Sequence, residues 1–126
     1  MSFRLEKQPT VSTPYVLVDE TNNYMKLEGQ CFHEMVTELF ADVNESLDRC
    51  LASGGSVFTF DCMFNYFNSS TAKLLFNMLM KMDRQAANGK KVIVNWITAE
   101  DNDIMIECGE DFQEELENLE FNLIIN

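Results

Sequence analysis

The sequence contains little positive charge, and the segment after Lys91 contains none. Nine Lys and Arg residues stand against 21 Asp and Glu residues in a chain of 126, which gives a formal net charge of −12. Proteins that bind nucleic acids or anionic lipid surfaces depend on clustered positive charge. The composition therefore argues against nucleic-acid and membrane partners. The acidic segment from Glu100 to Glu120 is either a solvated helix face or a docking surface for a basic partner.

Long hydrophobic runs are also absent. Residues 104–106 and 123–125 are among the longest, far short of the about 20 residues that a membrane-spanning helix needs. The first seven residues lack the apolar segment of a signal peptide. The four cysteines form no C-x-x-C pair and lie in apolar surroundings. We therefore expect free thiols and a cytoplasmic location.

Patterns typical of catalytic and metal sites are scarce. His33 is the single histidine, and it is expected to be a surface or capping residue. Residues 101–103 begin like a calcium loop, but Met105 and Ile106 occupy the next ligand position and the glycine position. No Gly-rich phosphate loop and no G-x-S-x-G elbow is present. We predict a protein that is not an enzyme and uses no cofactor or metal; the remaining enzyme hypothesis is a divalent metal held by the acidic segment.

Strand and helix patterns alternate along the chain, which favours an α/β fold. The predicted strands cover residues 15–19, 24–28, 57–62, 91–96 and 121–125, and the first two form a hairpin. The predicted helices cover residues 33–51, 70–87 and 101–117, and residues 63–67 predict an aromatic loop. Strand, helix and strand joined by short connections imply parallel neighbours. The sum is an α/β sandwich with a mixed sheet of about four to five strands and helices on at least one face.

The polar segment Asn68-Ser69-Ser70-Thr71 follows the predicted central strand and opens the next helix. Ligands and functional groups gather at the carboxyl ends of strands in open α/β sheets. A helix N-terminus also presents unpaired N–H groups that can stabilise a phosphate. The segment is therefore either a plain helix cap or a phosphorylation site, where a phosphate would add about −1.5 to −2 charges.

The predicted helix 70–87 is apolar around most of its circumference. Leu75 and Leu79 belong to the stripe that would face the sheet, whereas Leu74 and Met78 fall partly or wholly outside it. Such a helix is either deeply buried or carries a partner surface, and methionine suits both. Leu74 and Met78 are therefore candidate partner contacts, and Tyr66 in the preceding aromatic segment is a third.

The segment from Phe58 to Thr71 resembles the phosphorylation segment of STAS domains, the anti-sigma-factor-antagonist fold. In those domains a strand ending in Asp leads to Asp-Ser-Ser-Gly at a helix start. Here Asn68 replaces the Asp and Thr71 replaces the Gly, and Ser69 stands at the phosphoacceptor position. With these departures the chain resembles the SiaC-like family of bacterial regulatory phosphoproteins. The blocks that carry this resemblance are residues 13–15, 66–73, 94–96 and 108–112.

The resemblance implies a single STAS-like regulatory domain over residues 1–126 that works by partner switching. A dedicated Ser/Thr kinase would phosphorylate Ser69, with Ser70 and Thr71 as possible neighbouring acceptors, and a PP2C-type phosphatase would reverse the reaction. The unphosphorylated protein would bind and activate a diguanylate cyclase, and would thereby act on cyclic-di-GMP signalling and biofilm formation.

Two alternatives stay open beside this hypothesis. The chain could be an anti-sigma-factor antagonist module that acts on another kind of partner. It could also be a STAS-like sensor that binds a small ligand at the same strand end, with Phe64, Tyr66 and Phe67 lining the pocket.

Overall fold

The computed structural model describes residues 3–53, 55 and 57–126, and these form one six-stranded mixed sheet. The strands are β1 (Arg4–Lys7), β2 (Tyr15–Asp19), β3 (Tyr24–Cys31), β4 (Val57–Phe67), β5 (Lys91–Thr98) and β6 (Glu120–Ile125). They lie side by side in chain order. The pairs β1–β2 and β2–β3 are antiparallel, and β3, β4, β5 and β6 are parallel to one another.

In the part of the chain that the structure describes, four helices cover one face of this sheet. They are α1 (Val36–Leu39), α2 (Ala41–Ala52), α3 (Ser69–Ala87) and α4 (Asp103–Glu115). The strands alternate between buried side chains and half-exposed ones, as in Phe58, Phe60 and Cys62 against Thr59 and Asp61. The buried set forms the core beneath the helices. The other face, which we call the open face, carries the half-exposed set.

A row of side-chain hydrogen bonds crosses the open face over β3 to β6. The Tyr24 hydroxyl donates to Asp61 at 2.6 Å, and the Asn95 amide donates to the other carboxylate oxygen at 2.8 Å. Asn122 then donates to the Asn95 carbonyl oxygen at 3.0 Å. Burial and the bond to Asp61 raise the pKa of Tyr24, so its hydroxyl remains a donor at neutral pH. The row joins the parallel strands where no helix covers them.

The predicted hairpin, the parallel arrangement around α3 and the limits of that helix are confirmed. Residues 15–19 pair with residues 24–28 in antiparallel register. Asn88 is the C-cap of α3, and Gly89 follows with φ at +104°, a conformation that glycine adopts without strain. The predicted acidic helix and the last strand are present as α4 and β6.

The number of strands was predicted wrongly, because the sheet has six rather than four to five. The missed strand is β1, whose charged sequence Arg-Leu-Glu-Lys is half-exposed at the sheet edge and lacks an apolar pattern. The helix predicted over residues 33–51 is divided at Phe40 into α1 and α2. The sequence also predicts that Gly54-Gly55 ends this helix. Gly54 lies outside the described residues, and α2 ends at Ala52.

The aromatic loop predicted over residues 63–67 is also wrong, since β4 continues through Phe67. A β-bulge lies at Asn65, where Gly29 pairs with Phe64 and Gln30 pairs with Tyr66. A bulge inserts one unpaired residue and reverses the alternation of side chains beyond it. Phe64 and Phe67 are both buried as a result, although they are three residues apart.

No helix in the described ranges has both the length and the apolarity needed to cross a lipid bilayer.

The link between α4 and β6 is held by Asp83, a buried residue of α3. Its carboxylate accepts the backbone N–H groups of Asn118 at 2.8 Å and Leu119 at 3.0 Å, and the Asn118 side-chain amide at 3.1 Å. Burial acts to raise the pKa of Asp83, but these hydrogen bonds outweigh it and hold the pKa below its ordinary value. The ionised carboxylate is therefore the form that the fold stabilises.

We expect Asp83→Asn to lower the free energy of unfolding at neutral pH by about 1–3 kcal/mol, because a charged acceptor of buried N–H groups is lost. The stabilisation is present above the unfolded-state pKa of about 4 and disappears as the pH falls through the lower folded-state pKa. The difference in free energy of unfolding between wild type and Asp83→Asn should therefore become smaller at acidic pH. Urea denaturation followed by Trp96 fluorescence measures it, with the exposed Asp111→Asn as control. A difference independent of pH would contradict the assignment.

Candidate functional site

Asn68 joins β4 to α3 without an intervening loop. Its backbone is extended, with φ −86° and ψ 176°, and its side-chain oxygen accepts the N–H of Thr71 at 3.0 Å. Its own N–H donates to the carbonyl of Cys31, the last residue of β3, at 3.2 Å. Asn68 is thus the N-cap of α3, which starts one residue earlier than predicted, and it fastens the start of α3 to the ends of two parallel strands.

The three hydroxyls after Asn68 differ in accessibility. Ser69 and Ser70, the first two residues of α3, are exposed. Thr71 is 1% exposed, and its hydroxyl lies 3.3 Å from both the carbonyl oxygen and the sulfur of Cys31. Ser69 and Ser70 are therefore open to solvent in the folded protein, whereas modification of Thr71 would require the helix start to open.

The start of α3 is electrostatically suited to a phosphate. The first turn contains no acidic residue, and the helix N-terminus carries a partial positive charge that favours an added anion. Lys73 is exposed one helical turn after Ser69. Lys73 and Ser70 line an open groove between α3 and α1, with Glu34 across from them.

Exposed apolar side chains surround this junction. Val11, Phe32, Met35 and Tyr66 expose between 38% and 79% of their surface, and we call these four residues the edge patch. Phe32 follows β3 directly and its ring lies 6.2 Å from the ring of Tyr66 in the neighbouring strand. The Gln30 side chain donates to the Val11 carbonyl at 2.8 Å and holds that loop alongside. Clustered exposed apolar residues are typical of protein-binding surfaces.

Three members of the edge patch were missed from the sequence. Val11, Phe32 and Met35 lie in connecting segments, where apolar residues follow no helical or strand period. The sequence feature that could have identified them is the presence of large apolar residues beside polar ones in predicted loops. That signal becomes informative only when the topology shows that the segments meet. Tyr66, which was predicted as a partner contact, does lie on the exposed surface.

The prediction that Met78 lies on a partner-binding face is wrong. Met78 is 1% exposed and borders the same small interior gap as Phe40 and Leu75. The second apolar stripe of α3 is covered by α1 and α2, helices that the sequence did not place against it. Leu74 is half-buried and lines the groove that contains Ser70, so only its outer part is available to a partner.

The pocket predicted from Phe64, Tyr66 and Phe67 is not formed by these rings. The rings of Phe64 and Phe67 meet edge to face at 5.3 Å inside the core, and Phe67 also contacts Trp96. Tyr66 points outward beyond the bulge. The three aromatic side chains therefore lie on two different sides of the strand and do not line one cavity.

The structure also locates the thiols and the histidine. Burial raises the pKa of Cys50 to about 11 and of Cys108 to about 11, so these groups remain protonated thiols at neutral pH. Nδ1 of His33 accepts the N–H of Met35 at 3.1 Å, a local bond just before α1, and no side chain caps that helix. Within the described residues no group of three or more His, Cys, Asp or Glu side chains could hold a metal ion.

Solved structures share this fold over nearly the whole chain. SiaC of Pseudomonas aeruginosa superposes with a TM-score of 0.90 at 24% identity, covering 98% of this chain and 99% of that one. A crystal structure of the diguanylate cyclase SiaD in complex with its activator SiaC, from the same species, matches with a TM-score of 0.91 at 25% identity. That match covers 97% of this chain and 99% of the matched chain.

Sequence comparison gives the same relationship. An uncharacterized protein of Pseudomonas aeruginosa strain UCBPP-PA14 is 27% identical over 106 residues, which is 84% of each chain. The family described as SiaC family regulatory phosphoprotein matches residues 7–126. This description confirms the prediction of a regulator rather than an enzyme. The chain belongs to the SiaC family of regulatory phosphoproteins.

Proposed function

We propose that this chain is a phosphorylation-switched protein-binding regulator whose unphosphorylated form binds and activates a diguanylate cyclase. Ser69 is the phosphoacceptor and the edge patch is part of the surface that contacts the cyclase. In this proposal the protein controls cyclic-di-GMP production and, through it, biofilm formation.

The observation that carries this proposal is the position of an exposed serine beside an exposed apolar surface. Asn68 ties the start of α3 to Cys31, and Phe32 of the edge patch follows Cys31 directly. A phosphate on Ser69 would therefore stand next to the edge patch. The likeness to SiaC, which is the activator of SiaD in the solved complex, supports a diguanylate cyclase as the partner.

The switch follows from the cost of burying a phosphate. The helix N-terminus and solvent stabilise a phosphate of about −1.5 to −2 charges in the free protein. When a partner covers the edge patch, the phosphate loses water, and its charge faces whatever acidic groups the partner presents. Phosphorylation then weakens binding while the fold persists. Removing the phosphate restores an apolar surface ready to bind.

The remaining parts of the proposal concern the enzymes that would control the phosphorylation and the compartment in which it would occur. A dedicated Ser/Thr kinase adds the phosphate and a PP2C-type phosphatase removes it, so that the chain exchanges partners as a single STAS-like regulatory domain over residues 1–126. We place it in the cytoplasm, and its unpaired cysteines support a reducing compartment.

The phosphorylated residue can be identified by phosphopeptide mass spectrometry on protein isolated from its native cells. We expect phosphate on Ser69, in a proportion that differs between growing and stationary cultures, and none on Thr71, because the Thr71 hydroxyl is buried against Cys31. Complete coverage of residues 64–73 without phosphate in any condition would reduce this segment to a helix cap.

The effect of the charge is tested with Ser69→Asp and Ser69→Ala in a titration against a diguanylate cyclase that binds the wild-type chain. We expect Ser69→Asp to weaken binding roughly tenfold or more, because one unfavourable buried charge costs at least about 1.4 kcal/mol. Ser69→Ala should bind as wild type does. Cyclase activity at saturating concentration should follow the bound fraction.

Two controls make this result specific. The thermal unfolding temperature of Ser69→Ala should match wild type, and that of Ser69→Asp should match or slightly exceed it, since Ser69 is exposed at a helix start that favours negative charge. Ser70→Asp tests whether the position of the charge matters, and we expect it to weaken binding less than Ser69→Asp does. Equal binding by Ser69→Asp and wild type would refute the switch, whatever the partner.

The edge patch is tested with Tyr66→Ala and Phe32→Ala in the same titration. Large aromatic side chains at the centre of interfaces often contribute 2 kcal/mol or more, so each substitution should weaken binding by about tenfold or more. Val57→Ala is the matched control, because Val57 is 40% exposed at the opposite end of β4. If all three variants bind equally well, the partner surface lies elsewhere.

A further inference from the structure

The outer edge of β6 presents backbone groups without a neighbouring strand. Asn126, directly after β6, donates its N–H to Thr98 at 3.0 Å, and its carbonyl accepts the N–H of Glu100 at 3.2 Å. Backbone groups in a strand alternate between its two sides. Phe121, Leu123 and Ile125 therefore direct their N–H and C=O groups away from β5. In the described ranges no strand lies beyond β6.

Only the beginning of this edge is covered. The Gln113 side chain of α4 donates to the outward carbonyl of Phe121 at 3.1 Å. The outward groups of Leu123 and Ile125 have no such partner among the described residues. The free part of the edge is therefore the second half of β6, and we call residues 122–126 the free edge.

The two edges of the sheet are protected very differently. The β1 edge is short and carries Arg4, Glu6 and Lys7, which is the usual protection against unwanted strand pairing. The free edge has no lysine, no proline and no bulge, and Ile124 and Ile125 are 40% and 49% exposed. An edge left open in this way is a template for an added strand.

The negative charge of α4 beside the free edge determines which kind of added strand can bind there. Helical spacing places Glu110 on the side of α4 from which Gln113 reaches β6, with Glu114 adjoining it. The ion pairs of the described residues include no acidic residue of α4, and no Lys or Arg follows Lys91. A second copy of the chain paired at β6 would bring two such acidic helices together. A basic segment would instead be attracted.

We propose that the free edge binds an extended, basic segment of a protein partner as a seventh strand. Alternate Lys or Arg side chains of that segment face the carboxylates of α4. The residues between them are apolar and lie on the open face beside Ile124, whose register partner is Ile97. In the sheet, β5 lies between this site at β6 and the edge patch at β3 and β4. We expect binding here to be independent of the phosphorylation of Ser69.

The probe for this proposal is a synthetic peptide of alternating Lys and Val, titrated by fluorescence anisotropy and by amide hydrogen exchange in NMR. The expected result is saturable binding at low salt that slows exchange of the Leu123 and Ile125 amides. Ile125→Pro removes one outward N–H and leaves the bonds to β5, so binding should fall about tenfold or more. Ile125→Thr keeps the N–H and should bind normally.

A second variant tests the charge without altering the strand. Glu110→Gln combined with Glu114→Gln should weaken the peptide severalfold, and Glu45→Gln, an exposed acid on α2, should have no effect. Slow exchange of the Asn122 and Ile124 amides confirms that Ile125→Pro still pairs with β5; if that pairing is lost, the glutamine variant and the amide protection in wild type decide the proposal.

Three results would overturn the proposal. Binding without protection of the Leu123 and Ile125 amides would mean that the peptide is held only by the acidic surface of α4. Equal binding of a peptide of alternating Glu and Val would remove the charge preference. Protection of these amides that increases with protein concentration in the absence of peptide would identify a second copy of the chain as the occupant.

Discussion

The hydrogen bonds of Asn68 determine the geometry on which the candidate site depends. One bond ties Asn68 to the end of β3, and the other begins α3 at Ser69 with no loop between strand and helix. Once the helix starts there, its period decides which hydroxyl is accessible. Ser69 and Ser70 face solvent and Thr71 faces Cys31 in the core. Helix geometry therefore removes Thr71 from the accessible hydroxyls and leaves Ser69 and Ser70.

The bulge at Asn65 determines which aromatic side chains of β4 lie on the exposed apolar surface. Without the extra residue, continued alternation would reverse the sides of Tyr66 and Phe67 relative to the core. With it, Phe67 packs against Trp96 and Tyr66 lies beside Phe32. The Asn65 carbonyl accepts the side-chain amide of Asn102 at 2.9 Å, and Asn102 is the N-cap of α4. The same irregularity thus exposes Tyr66 and anchors the start of α4.

Much of the fold was predictable because its elements carry strong local signals. The β2–β3 hairpin, α3 with its caps, and the parallel strands around it follow from alternation and from Asn and Gly at helix ends. The strand β1 was not predictable, since a short charged edge has no apolar pattern, and neither was the extension of β4, because a bulge interrupts its period. These failures concern contacts between distant segments, which local patterns do not record.

The candidate site divides in the same way. Asn68 and Ser69 were identified from the residue types that begin helices and from a family resemblance. Met78 was misassigned because its exposure depends on α1 and α2, which cover the second stripe of α3. Phe32 and Met35 belong to the edge patch because Phe32 follows the end of β3 and Met35 precedes the start of α1. A surface assembled from loops can be predicted only when the topology is known. A helix cap can be predicted from the local sequence alone.

The uneven charge of the chain bears on how far a phosphate at Ser69 can act. At physiological ionic strength, exposed charges are screened over about 8 Å, so the acids in the later turns of α4 act only weakly on a partner bound beside Ser69. A phosphate can oppose binding only where the partner excludes water and salt. The proposed switch therefore requires a partner surface next to Ser69. Phe32 is close to that position in the fold because it follows Cys31, to which Asn68 is bonded. For a partner bound at this proposed surface, the acids of α4 act mainly on the rate of approach, whereas a partner bound at the free edge would contact them directly.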